Sequence, residues 1–358
     1  MKNSGLKSME FKEMRIYLPK NYQKQDRRYF RKKVLKIPNL KIKELHDVFA
    51  TENGFIIRNY SLIKPLVKES IYRYFSHYIS FIIEGLSKYN KAKKNNLYRL
   101  EDDQNYFIIA SPWSSFNHFI GYYHWILDSI PRLIEVYNKI SNPTLIIWDF
   151  FLKFDFLKKS LLPFKDLKLK IIPNNSLVHT KKLFLPELKH YCYFYNRENL
   201  DKIRNIYLNY FSGLSSFNSR VYITRKNSNR RKIINEVEVE NIFKKYDFEI
   251  LDCDIVPFEK QISIISHANT LASIHGGALT NILFLPPKSK VLEFHRRKKT
   301  PFDHHSKVYW YLCCSLGHEY YHQICEPIGI NKTSFFQADF YIDIHELERN
   351  ICLILKTS

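Results

Sequence analysis

The sequence predicts an α/β protein of two domains built on parallel sheets. Three observations carry this. The chain has 358 residues, and at roughly 100 to 200 residues per domain that is room for two cores. Hydrophobic residues make up 45% and aromatics 16%, enough apolar surface to offset the entropy of ordering the chain. In the second half, short β-rich runs alternate with single helical segments of about 10 to 15 residues, the pattern of βαβ units.

Residues 1–54 read as a basic N-terminal extension. Between Met1 and Lys43 fourteen Lys and Arg stand against three acids, Glu10, Glu13 and Asp26, about half of the chain's net charge of +21. With Tyr22, Tyr29 and Phe30 threaded through it, this segment suits anionic lipid headgroups or nucleic acid; a solvated extension shows the same pattern and is the weightier reading of it. Residues 55–212 form the N-terminal α/β domain, with strands at 55–58, 106–110, 144–148, 168–172 and 182–185 and helices near 120–139, 150–162 and 197–211. A polar run at 212–219, with Gly213 and four serines, marks the boundary. Residues 213–358 form the second domain. Its strands fall at 219–224, 248–252, 270–274 and 290–295, its helices at 236–246, 258–268 and 278–285. A last amphipathic helix at 344–356 carries Leu347, Ile351 and Ile354 on one face, and packing back on the N-terminal domain is one option for it. Neither an export signal nor about 18 consecutive apolar residues is found, so a cytoplasmic protein is expected, with the inner face of the membrane as a docking surface. The six cysteines (Cys192, Cys253, Cys313, Cys314, Cys325, Cys352) lack metal or redox spacing and are expected to be reduced and mostly buried.

Three stretches carry chemistry. In Ser273-Ile274-His275-Gly276-Gly277-Ala278-Leu279-Thr280-Asn281 an apolar strand runs through two glycines into a helix. Exposed N–H groups at such a start favour phosphate, while a tight turn would need glycine for steric reasons alone. Arg225 stands where a strand ends, and a guanidinium there suits a diphosphate; Arg230 and Lys232 read better as a solvated loop. Asn235 and Glu236 are accounted for as a helix start. In the third stretch Phe119, Tyr123, Ile126, Ile130, Leu133 and Tyr137 make one buried helical stripe, and His124, Asp128 and Arg132 fall at i, i+4 and i+8 beside it. Pro131 should kink that helix. The His124/Asp128 pair is either a positioned acid/base group or a histidine satisfied by its helical neighbour. The late histidines (His295, His304, His305, His318, His322) and Asp303 show no metal motif, and His304 and His305 read as loop residues.

Together these pieces resemble the family 61 glycosyltransferases, a group tied in bacteria to capsular polysaccharide synthesis. The marks are Tyr123-His124-Trp125 with Asp128 and Pro131-Arg132-Leu133, then Tyr222-Ile223-Thr224-Arg225 with Arg231 and Asn235-Glu236, then His275 to Asn281 and Glu293. Gly121 departs from the family's usual Asn, and Gly276-Gly277-Ala278 from its usual Gly-Ala-Gly. The resemblance implies two Rossmann-like domains facing a cleft, the GT-B arrangement. It also implies inverting transfer from a nucleotide sugar, expected to be UDP-linked, to a glycan or lipid-linked saccharide acceptor, with no cofactor and no metal required for the chemistry. Arg225 and Arg231 would neutralise the diphosphate, and Gly276, Gly277, Ala278 and Leu279 would cradle it. His275 and Asn281 would line the pocket and Glu293 would hold the ribose hydroxyls. His124 and Asp128 would be catalytic, His124 being favoured as base because imidazole titrates nearest neutrality. A basic nucleic-acid-binding protein is the alternative function; it leaves the 275–281 turn and the His124/Asp128 pair without a role, and no nucleic-acid partner is expected.

Overall fold

The structure, a computed structural model, describes residues 11–58, 61–63, 87, 89, 90, 96–110, 115, 116, 119–187, 195–211, 219–228, 231–298, 306–328 and 338–356. Arg230, Asp303, His304, His305, Cys192 and most of the 212–219 run lie outside them. The chain divides into two compact units, one taking in 34–158 and 164–196, the other 15–33, 159–163 and 197–358.

In the first unit, strand Pro143–Trp148 is apolar and buried along its length, as a central parallel strand should be. It pairs in parallel with Lys168–Ile172 on one side and Asn105–Phe107 on the other. Leu177–Pro186 continues the sheet, which then turns antiparallel through Ile42–Ala50, Ile56–Arg58 and Ser61–Ile63. Strand Ile42–Ala50 corrects the sequence expectation, since it is sheet where a basic extension was read. Its charged Lys43, Glu44, His46 and Asp47 are exposed, while Leu45, Val48 and Ala50 are buried.

The second unit is a doubly wound sheet with strand order Glu249–Asp252, Arg220–Thr224, Thr270–Ile274, Lys290–Arg296, Glu319–Ile328, all parallel, closed by antiparallel Asp339–Tyr341. One face carries Tyr222, Ala272, Leu292 and Tyr321 in a core with Val239, Phe243, Leu347, Ile351 and Ile354. The last helix, Ile344–Lys356, therefore packs on its own domain. The alternate residues Val221, Ile223, Leu271 and Val291 are buried as well. Helix Arg197–Phe211 belongs to this unit too, so the chain passes between units at Asn196 and Arg197 rather than in the 212–219 run.

Residues 15–33 are also part of this unit. Phe30 is 1% exposed and meets Trp310 edge-on with ring centroids 4.9 Å apart. Trp310 Nε1 donates to the Tyr17 carbonyl at 2.7 Å, and Asn21 exchanges hydrogen bonds with the His322 backbone at 2.6 and 3.1 Å. The segment is thus tied down by its aromatic and amide side chains, while Lys24, Arg27, Arg28, Arg31, Lys32 and Lys33 stay exposed. Among the described residues five cysteines are free, Cys313 and Cys325 buried and the others half-buried, and no helix is long and apolar enough to cross a membrane.

Candidate functional site

Strand Arg220–Thr224 lies between Glu249–Asp252 and Thr270–Ile274, so the order of connection reverses between 220–224 and 270–274. Ligands of open parallel sheets bind at the carboxyl ends of the strands at such a reversal. Arg225 follows the first of these strands and His275-Gly276 the second. Their closeness is specific: a Cβ placed on Gly276 would stand 2.6 Å from Arg225 Nη1, so this position must be glycine if the guanidinium is to lie where it does. Arg225 Nη2 donates to Ser228 Oγ at 2.6 Å, and Arg231 Nη1 to the His275 carbonyl at 3.2 Å. Arg296, at the end of the next strand, escaped the sequence reading. Burial, and then the like charge of Arg231, pushes it down to about 10. Guanidinium groups collected at one sheet end suit an anion. A basic residue closing a buried strand is the signal that Arg296 shares with Arg225.

Three expected roles change. Residues Gly277–Phe284 form 3-10 turns rather than an α-helix, and the Leu279 N–H bonds to the Gly276 carbonyl at 3.0 Å. Leu279 is fully buried, whereas Gly277 and Ala278 are half-buried. Asn281 is also fully buried; its amide donates to Gln261 Oε1 at 3.0 Å, and Gln261 in turn donates to the Cys253 and Val256 carbonyls at 3.0 and 2.7 Å. Asn281 braces the 253–256 loop instead of facing a ligand. Glu293 is fully buried with both oxygens engaged, Oε1 by His275 Nδ1 at 2.5 Å and Oε2 by Tyr320 Oη at 2.7 Å. Burial opposes its charge, but His295 and His275 hold the carboxyl down to about 2; burial pushes the His275 imidazole down to about 4. His275 is therefore neutral, donates from Nδ1 and keeps its lone pair on Nε2.

In the first unit, His124 Nδ1 and Asp128 Oδ2 are 2.6 Å apart. A carboxylate only accepts, so His124 Nδ1 is the donor in this contact. Just before Pro131 the helix makes a π-turn over Trp125–Ser129, in which the Ile130 N–H reaches the Trp125 carbonyl. Arg132 lies close enough for its charge to act on Asp128, but the hydrogen bonds found for it go to backbone. It is buried and donates to the Pro186 carbonyl at 3.0 Å and the Ile109 carbonyl at 2.6 Å, and burial pushes it down to about 10.

A model of the family Glycosyltransferase 61 matches residues 122–292, from the π-turn helix into strand Lys290–Arg296. This match supports a glycosyltransferase, a protein binding a sugar donor and an acceptor, and nothing in it favours a nucleic-acid binder. No curated protein matches the chain.

Proposed function

We propose that the protein is an inverting glycosyltransferase of the GT-B arrangement. It moves a sugar from a nucleotide-sugar donor, taken as UDP-linked, to a glycan or lipid-linked saccharide in surface or capsular polysaccharide synthesis. The observation that carries this reading is the Arg225 guanidinium seated against Gly276 at the reversal of the second sheet, inside the matched range. There Arg225 and Arg231 neutralise the diphosphate while N–H groups of Gly276 to Ala278 cradle it. A departing nucleoside diphosphate builds up negative charge as the glycosidic bond breaks, and fixed guanidinium groups stabilise it without a metal in the chemistry. His124 takes the acceptor hydroxyl proton on Nε2 as the anomeric carbon is attacked, and Asp128 holds the ring and its developing charge. The protein works in the cytoplasm at the inner membrane face, held there by its basic surface.

The test is transfer or hydrolysis with a panel of nucleotide sugars. Arg225→Ala should cost on the order of 10² or more in turnover with the fold intact by circular dichroism. Wild-type turnover in that variant would remove Arg225 from the site.

A further inference from the structure

The sheet register of the second unit gathers one group that the transfer reading leaves without a role. Glu293 is paired with Ser273 on one side and His322 on the other, so His275, Glu293, His295 and Tyr320, two residues on or one strand over, share a single face. On that face Glu293 Oε1 meets His275 Nδ1 at 2.5 Å, and Oε2 meets His295 Nε2 at 3.0 Å and Tyr320 Oη at 2.7 Å. Donor atoms of His275, Glu293 and His295 all lie within 4.8 Å of one another.

Two imidazoles converging on one carboxylate have the composition of a divalent metal site. Glu293 and His295 are 0% and 3% exposed, and a buried carboxylate in such a place is either paired with a cation or coordinates a metal. We propose that His275, Glu293 and His295 bind one divalent transition-metal ion of the zinc class, as a centre that fixes the 275–277 turn and takes no part in sugar transfer. At bond lengths of about 2.0–2.2 Å a tetrahedral ion holds its donors about 3.4 Å apart, so the carboxylate contacts at 2.5 and 3.0 Å must open by about 1 Å or less, while a donor pair at the 4.8 Å limit must close by about 1.4 Å. Tyr320 then acts on the outer side of the carboxylate, keeping Glu293 oriented as hydrogen-bonded ligands are in such sites. Coordination through His275 Nδ1 requires the ring hydrogen to move to Nε2, because the coordinating nitrogen must be free of hydrogen.

This site stands on the second unit's own geometry and does not depend on the transferase reading. The full chain, with any metal-binding tag removed, is loaded with Zn2+, dialysed, and its metal content measured by mass spectrometry. After chelation it is titrated with Co2+ while the visible d–d absorption is followed. One zinc per chain and a tetrahedral Co2+ band are expected. Replacing a neighbour of a ligand costs about 10- to 100-fold in affinity, so His295→Gln and Glu293→Gln, each checked for folding, should weaken Co2+ binding by at least about 10²-fold. His267→Gln, on a helix end elsewhere in the unit, should bind as wild type. Wild-type protein that holds no stoichiometric zinc and gives no Co2+ band overturns the proposal; so does undiminished binding in a folded His295→Gln variant. Donor binding that survives metal removal leaves the transferase reading intact.

Discussion

His124 and Asp128 make the sharpest residue-scale prediction, because their 2.6 Å contact has a structural reading as well as a chemical one. If Asp128 holds a catalytic base, His124→Ala and Asp128→Asn should each lower turnover by about 10² or more, while donor affinity, measured by titration calorimetry, stays within about twofold. Near-normal transfer in both variants would return the pair to a structural role. A second residue, His318, sets a pH dependence. Burial, and then the positive charges of Arg197 and Arg204, push its imidazole down to about 4, below the ordinary value near 6.5. The unfolded chain therefore binds a proton that the folded chain refuses, and the contribution present above about pH 6.5 is lost as the pH falls towards 4. Thermal unfolding between pH 7.5 and 4.5 should show this decline, with a shallower slope in His318→Gln; equal slopes would reject it.

Arg132 shows how an element can be mistaken for a site. By helical spacing it belonged with His124 and Asp128, yet its guanidinium ties the helix to the Ile109 and Pro186 carbonyls. Arg132→Met strands buried carbonyls at about 1–3 kcal/mol each. It should destabilise the protein by about 2 kcal/mol or more in urea unfolding, whereas His124→Ala should not; equal stability of the two variants would contradict this division. Other elements were legible to different degrees. Strands Arg220–Thr224 and Thr270–Ile274 stood out as apolar runs between helical segments, and the Gly-Gly turn with a strand-end arginine pointed to their carboxyl ends. Strand Ile42–Ala50 hid behind its charged outer face, and helix Val308–Leu316, apolar on nearly every side, offered no amphipathic period. The engagement of Glu293 was not readable in advance, because it depends on the register that sets the strands of 275, 295 and 320 around it.

Across the whole molecule, part of the charge of +21 sits on residues 15–33, which are tied into the second unit. Residues 15–33 are held down by Phe30, Asn21 and Tyr17, with the arginines and lysines left on the surface, so deleting them would remove part of a core along with the charge. The better test replaces Lys24, Arg27, Arg28, Arg31 and Lys32 by Gln. At about 1 kcal/mol per basic residue near an anionic bilayer, this should weaken binding to phosphatidylserine-containing vesicles by at least about 100-fold and spare donor binding; equal vesicle binding would remove the membrane from the account. The central claim, a nucleotide-sugar site at the reversal of the second sheet, is tested most directly by the melting temperature of wild type and Arg225→Ala against nucleoside diphosphates and their sugars. A specific ligand at 100 times its Kd adds about 2.7 kcal/mol. At least one UDP-type ligand should raise the wild-type melting temperature by several degrees and leave Arg225→Ala nearly unmoved. No shift with any of them, or the same shift in both proteins, would contradict the account.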